Sequence, residues 1–318
     1  LTIELGSVTS NEAVLSGIEI LADNPAGEPD PRADVDVSID NGGTFTSLAT
    51  DLAMDRFGRG TFDWTIAAGT ETAGHSGLIR VNVNPQDTSP HPFSIAGDGT
   101  DYYINDDSLT GDTVTTAVGD NLASGKSPDA PMADLFALIN NYDLDAGDVI
   151  HVDTGDYAVI RTIEIGPQDG GVRIEALDPT ASVFDRGNTF FEIGHVIDIE
   201  LNENDDVTID GLGVTGGNRG ITASCISGVA GRSGCSMPAN VTISNSEVFN
   251  HTNIGIFAEQ FVAAVIETNI VRNNATGIQV ESNGTTVRNN NVFDNSLTGI
   301  SSDQFSGQIT VIDNTVSD

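Results

Sequence analysis

The feature that most constrains this chain is a repeat in its last third. Ile209-Asp-Gly-Leu-Gly-Val214 leads to Gly220-Ile221, and Ile243-Ser-Asn-Ser-Glu-Val248 leads to Gly255-Ile256. Ile266-Glu-Thr-Asn-Ile-Val271 leads to Gly277-Ile278, Val287-Arg-Asn-Asn-Asn-Val292 leads to Gly299-Ile300, and Val311-Ile-Asp-Asn-Thr-Val316 opens a fifth unit. The anchors at 209, 243, 266, 287 and 311 are 34, 23, 21 and 24 residues apart. A period of about 20–25 residues, with short strands and Gly/Asn turns, means a solenoid of parallel three-stranded coils. Apolar side chains alternate inward, and coils stack at roughly 4.8 Å. Asn250, Asn273 and Asp294 stand seven positions after their anchors, and Asn269, Asn290 and Asn314 three after theirs. Asn tolerates left-handed φ and bonds its own backbone, so both sets are expected at bends, stacked as ladders that satisfy buried polar groups.

The longest interval holds the only two cysteines, Cys225 and Cys235, flanking a Gly/Ser-rich spacer. Two thiols do not fill a tetrahedral zinc site, and the histidines are distant in sequence. A disulfide closing a small loop, and hence an oxidising compartment, fits best; a free pair and a metal pair are the alternatives.

Residues 98–165 read differently from the repeats. Tyr102-Tyr-Ile-Asn-Asp opens a strand, and a Gly/Ser/Asp-rich loop follows over 108–129. Leu135, Phe136, Leu138 and Ile139 mark a short amphipathic helix within 132–141. Ala146-Gly-Asp148 then precedes the strand Val149-Ile-His-Val, which runs to Gly155-Asp-Tyr157. This order resembles the N-terminal cap of right-handed parallel β-helix proteins, of which the pectate-lyase-like folds are the best known. A short helix across the first coil hides its apolar end and its unpaired strand edge. Asp143, Asp145 and Asp148 partly resemble a calcium loop but lack the terminal bidentate Glu, and a plain turn is the competing reading.

Residues 1–97 alternate apolar and polar in short runs: 2–5, 13–21, 35–39, 60–66, 78–83 and 92–95. Asp40-Asn-Gly-Gly43 signals a hairpin, and Trp64, alternating with Phe62 and Ile66, is expected in a core. The segments Val37-Ser-Ile-Asp-Asn-Gly-Gly-Thr-Phe, Phe62-Asp-Trp-Thr-Ile, Ile79-Arg-Val-Asn-Val and Pro92-Phe-Ser-Ile resemble immunoglobulin-like or fibronectin-like modules of large secreted bacterial proteins. The resemblance implies a spacer or adhesive module. Asp30, Asp34, Asp36 and Asp40 offer calcium ligands there, against a solvated strand face. The expected fold class is therefore all-β. An Ig-like β-sandwich over 1–97 precedes a β-helix cap and first coil over 98–165 and further coils over 166–318.

Charge narrows the function. The chain of 318 residues carries 12 basic and 47 acidic side chains, a net −35, with Lys126 its one lysine. Residues 1–97 carry −10, 98–210 carry −21 and 211–318 carry −4. Phosphate neutralisation needs clustered Lys and Arg, so no nucleic-acid partner is expected, and docking on anionic lipid is disfavoured. No apolar run is long enough to span a membrane. Such a surface predicts an extracellular, bacterial, saline or calcium-rich setting, with cations screening the self-repulsion and Ca2+ the one cofactor to consider.

Many β-helix proteins cleave or epimerise acidic polysaccharides, which needs a base near the reacting carbon and neutralisation of the substrate carboxylate. Arg272 and Arg288 lie on successive coils, Asp205-Asp206 is the one adjacent acid pair in the coils, and His151, His195 and His251 sit in strand or bend patterns. None makes a catalytic constellation by spacing. The sequence therefore predicts an extracellular structural or adhesive module of a larger surface or filament protein, with no catalytic residue assigned. The alternative is the N-terminal part of a calcium-assisted lyase or epimerase of acidic glycans. A third possibility, a glycan-binding module, would use exposed aromatics such as Phe249, Phe257, Phe293 and Phe305. The coil at Ile309 is unfinished at Asp318, so further coils of the chain or a neighbouring copy are expected to cover it, and copies would stack head-to-tail.

Overall fold

The structure is a computed structural model. It describes residues 2–3, 18–19, 31–55, 57–67, 70–72, 74–83, 86–96, 100–187, 194–203, 205–225, 238–260, 262–302 and 308–317. It divides into two compact units, Leu1–Asp98 with Asn141–Asp143, and Gly99–Asn140 with Leu144–Asp318.

In the first unit, Thr46–Ala53, Arg32–Ser38, Leu78–Asn82 and Asp87–Thr88 form an antiparallel sheet in that order, and Thr2–Ile3 pairs with Ile18–Glu19. The Asp40–Gly43 turn works as its sequence predicts, with Asn41 and Gly42 at positive φ (56° and 86°). The Thr44 N–H and the hydroxyls of Ser38 and Thr44 hold the Asp40 carboxyl down to about 2. Ala33, Val35, Val37, Met54, Ile79 and Val81 make the core. Trp64 is half-buried at its margin, edge-on to Phe93. Residues 60–66 keep the expected alternation without joining a strand. Among the described residues this is a small four-stranded antiparallel sheet and a separate two-stranded pair, a coarser result than a sandwich.

In the second unit, three parallel sheets run the length of the coils. The first stacks Asp101–Ile104, Val149–Val152, Arg173–Ala176, Asp206–Asp210, Ala239–Ser244, Val262–Glu267, Thr286–Arg288 and Thr310–Ile312. The second stacks Gly155–Ala158, Ser182–Asp185, Gly213–Thr215, Glu247–Phe249, Ile270–Arg272, Asn291–Phe293 and Thr315–Ser317. The third stacks Ile163–Ile165, His195–Leu201, Arg219–Cys225, Ile254–Ala258, Thr276–Val280 and Thr298–Ser302. This is a parallel β-helix.

The register follows the repeat. Ile150, Ile174, Ile209, Ile243, Ile266, Val287 and Val311 form one column. Phe184, Val214, Val248, Val271, Val292 and Val316 form a second, and Ile163, Ile197, Ile221, Ile256, Ile278 and Ile300 a third. All three columns are apolar, and in the middle coils their side chains are buried. Each fully buried Val or Ile contributes roughly 1.5–3 kcal/mol.

The amphipathic pattern forms the short helix it predicts. The helix is Leu135–Asn141, with Leu135, Leu138 and Ile139 buried and the Asp134 carboxylate capping the Ala137 N–H at 2.6 Å. The loop before it covers the outer edge of Asp101–Ile104, since the Met132 N–H donates to the Tyr103 carbonyl, the Asn105 N–H to the Met132 carbonyl and the Tyr103 N–H to the Gly125 carbonyl. Buried Asp153 pins this loop through the N–H groups of Thr113, Val114 and Thr115. Burial alone would raise its carboxyl; these bonds outweigh that and hold it low.

Candidate functional site

With the interior filled, chemistry is left to the bends and the outward faces of the sheets. At the bend between the first and second sheets, Asn245, Thr268, Asn289 and Asp313 take positive φ. The next residue turns inward and makes the ladder. The Asn269 N–H and Nδ2 donate to Asn290 Oδ1, and those of Asn290 donate to Asn314 Oδ1, all at 2.9–3.0 Å. Their Nδ2 atoms also donate to Ile243, Ile266 and Val287 carbonyls.

The second bend corrects the expectation for Asn250, Asn273 and Asp294. These hold the positive φ (59°, 57° and 54°) and point to solvent. The ladder there is one residue on, through His251, Asn274 and Asn295. A left-handed residue directs its side chain out of the turn, so the following residue occupies the buried slot. His251 is the buried first rung: its Nδ1 accepts from the Gly217 N–H and its Nε2–H donates to the Val214 carbonyl. Burial depresses its pKa to about 4.

The outward face of the first sheet is a chain of ion pairs across coils. His151 Nε2 lies 2.9 Å from Asp101 and Nδ1 3.1 Å from Glu175, with Tyr103 stacked on the ring. Arg173 joins Glu175 to Asp210, which accepts from Ser244 and Asn245. Arg288 meets Glu267 on this face, whereas Arg272 meets Glu247 on the second sheet, stacked on Phe249. The two arginines therefore share no groove.

The third sheet presents a further group of acids. Register aligns Glu164, Asp198, Thr222 and Phe257 in one outward column, with Glu200 beside them and Ser224 as its partner. His195 Nδ1 lies 3.1 Å from Asp198 Oδ2, and the Thr162 hydroxyl and Arg186 guanidinium both donate to the His195 carbonyl. Arg219 stacks on Phe257 and pairs with Glu259. Desolvation and the charges of Asp198, Glu164 and Glu259 raise the Glu200 carboxyl.

A family model described as right handed beta helix region matches residues 140–316, more than half of the chain. The chain belongs to the right-handed β-helix family. No curated protein and no solved structure matches it. The β-helix region fits a pectate-lyase-like superfamily.

The β-helix brings together acids that sequence reasoning passed over. His195-Val-Ile-Asp-Ile-Glu200 carries two acids at period two between buried Ile197 and Ile199, which puts both on one outward face. That signal was readable, but their neighbours Glu164, Arg219 and Glu259 join them only through coil register.

The calcium candidates divide: Asp143 falls in the first unit, Asp145 and Asp148 in the second. Asp148 is buried, accepting from the Thr100 and Asp145 N–H groups. Among the described residues no group of three or more His, Cys, Asp or Glu has an arrangement fit for a metal. In the N-terminal antiparallel sheet Asp36 is paired with Arg80 and Asn82, and Asp34 accepts the Asp51 N–H; Asp30 lies outside the described residues. So do Cys235 and Phe305, while Cys225 ends a strand of the third sheet and is buried. Phe257 is buried, and Phe249 and Phe293 flank Arg272 on the second sheet. Among the described residues no helix is long and apolar enough to cross a membrane.

Proposed function

We propose that this chain is an extracellular structural or adhesive module, with the N-terminal sheet part of an Ig-like spacer and the β-helix a stiff rod. The observation that carries this reading is the first sheet's outward face. Its run from Asp101 through His151, Glu175 and Arg173 to Asp210 ties four successive strands together and leaves those polar groups engaged with one another. A surface built to hold coils in register is what a load-bearing rod needs. The reading includes a Cys225–Cys235 disulfide, a saline or calcium-rich setting that screens −35, and end-on contact at the half-exposed Val311 and Val316 with further coils or another copy. Light scattering and electron microscopy test it: rods or adhesion to surfaces are expected, and an inert monomer under all conditions overturns it. Thermal melting in chelator, then calcium, then NaCl tests the ion dependence; a midpoint that none of these moves overturns that part.

A second reading, a polysaccharide-acting enzyme, is favoured by the carboxylates of the third sheet, where Asp198 and Glu200 stand on one outward face. Release of new reducing or unsaturated ends from a polysaccharide supports it, and none from any polymer overturns it.

A further inference from the structure

We propose that the exposed asparagines Asn240, Asn250 and Asn283 are sites of N-linked glycosylation. This rests on the extracellular reading, because the modification belongs to the surfaces of exported chains.

The chain contains four Asn-X-Thr triplets: Asn240-Val-Thr242, Asn250-His-Thr252, Asn274-Ala-Thr276 and Asn283-Gly-Thr285. Such a triplet marks the asparagine for attachment of a sugar, and the hydroxyl two residues on is part of the signal. By sequence the four are equivalent. The fold divides them three to one.

Asn274 is the one excluded. It is 2% exposed, and its Nδ2 commits both protons, one to the Val248 carbonyl at 3.2 Å and one to Asn295 Oδ1 at 3.1 Å. An amide nitrogen that carries a sugar keeps one proton. A sugar on Asn274 would therefore break a rung of the ladder, in a buried place where unmade bonds are costly.

The other three are open. Asn250 is exposed, its φ of 59° turns the side chain out of the bend, and Thr252 is exposed beside it. Asn240 and Thr242 alternate with buried Ala239, Val241 and Ile243 along one strand, so both face outward from the first sheet. The register partner of Asn240 in the next coil is Ala263, whose methyl group leaves room for a sugar. Asn283 is exposed and uses only Oδ1, which accepts the Gln308 N–H at 2.6 Å. Glycosylation of Nδ2 leaves that oxygen in place.

Charge gives an independent reason. All four triplets fall within residues 211–318, which carry −4 of the net −35, against −21 over 98–210. High net charge keeps a protein soluble, and attached glycans do the same. The open sites lie on the coils that lack the acidic cover of the rest of the chain.

The fold also sets the order of events. Thr285 is 1% exposed and its hydroxyl donates to the Val262 carbonyl at 3.1 Å. A transferase can read that hydroxyl only before the coils stack, so attachment precedes folding, and a chain modified at Asn274 is lost at the folding step. In the reaction the asparagine Nδ2 bonds to the anomeric carbon of an activated sugar diphosphate. The bond from that carbon to the diphosphate oxygen breaks, the diphosphate leaves, and one Nδ2 proton passes to solvent. The cell supplies the sugar diphosphate and the transferase, and no redox partner is required.

The test maps peptides of the full chain, recovered from its source cells and from their medium, by mass spectrometry. The map is repeated after an amidase releases N-linked glycans in heavy-oxygen water, which labels each freed site as Asp. Sugar-bearing peptides are expected at Asn240, Asn250 and Asn283, with Asn274 bare. In the same cells Thr252→Val should abolish the Asn250 adduct and Thr252→Ser should keep it, with the other two sites unchanged. A sugar on Asn274 of folded chain overturns the division by burial. A bare chain in the medium overturns the proposal and leaves the extracellular reading standing, whereas a bare chain found only inside the cells overturns both. Should a Thr252 variant fail to fold, the map of the native chain decides alone: a sugar on Asn250 supports the site, and its absence from exported chain overturns it.

Discussion

His151 and His195 stand on outward faces, but His251 is locked into the bend between the second and third sheets, and acid should attack the fold there. Its ring does the work that Asn274 does one coil later. Asn274 Nδ2 donates to the Val248 carbonyl, and His251 Nε2–H donates to the Val214 carbonyl, the register partner of Val248. Only the histidine titrates. A proton on Nδ1 would set two N–H groups against each other, because that nitrogen accepts from Gly217. The folded pKa is about 4 against an ordinary value of 6.5. Between these values the unfolded chain binds more protons than the folded one, so stability falls with falling pH. The contribution is complete above pH 6.5 and is lost as pH drops to about 4. A gap of that size amounts to about 3 kcal/mol, at roughly 1.4 kcal/mol per unit. Urea denaturation of the native chain and of His251→Asn, each at about pH 7, pH 5.5 and pH 4.5 in one salt, isolates this term from the carboxylates, which both share. The native chain should lose stability relative to the variant by about 2–3 kcal/mol across that range. A difference between the two that stays constant with pH would refute the reasoning.

Other expectations follow from the same geometry. Asn290→Ala removes a buried rung that serves Asn269 and the Ile266 carbonyl, and should cost about 1–3 kcal/mol in chemical denaturation. Asn273→Gly, at an exposed residue with φ 57°, should be tolerated within roughly 1 kcal/mol. Ile266→Ala empties a fully buried position between coils and should cost about 2–5 kcal/mol, whereas Val316→Ala, half exposed at 51%, should cost well under half of that. Mass mapping of a non-reduced digest should find Cys225 and Cys235 in one linked peptide; two free thiols would remove the disulfide from the proposed function.

The sequence by itself determined the architecture of the second unit. An anchor Ile or Val recurring every 21–24 residues in the regular coils can be buried only by stacking. The anchors at 209, 243, 266, 287 and 311 accordingly fall in one column. The cap helix was legible in the same way, because Leu135, Leu138 and Ile139 at helical spacing need an apolar surface to cover. The bends were only half legible. Asn273 and Asn274 are neighbours of one residue type, and which is the left-handed residue and which the buried rung depends on where the strand ends, a difference of one residue that composition does not encode. Which outward residues of different coils meet was decided by tertiary structure alone. Glu164, Asp198, Thr222 and Phe257 lie 24–35 residues apart along the chain and meet because coil length sets the register. Insertions between strands change a coil's length without shifting that register, since strand pairing is fixed by the buried columns. The interior is therefore written in a short period that any one coil displays, while the surface chemistry exists only after the coils are stacked.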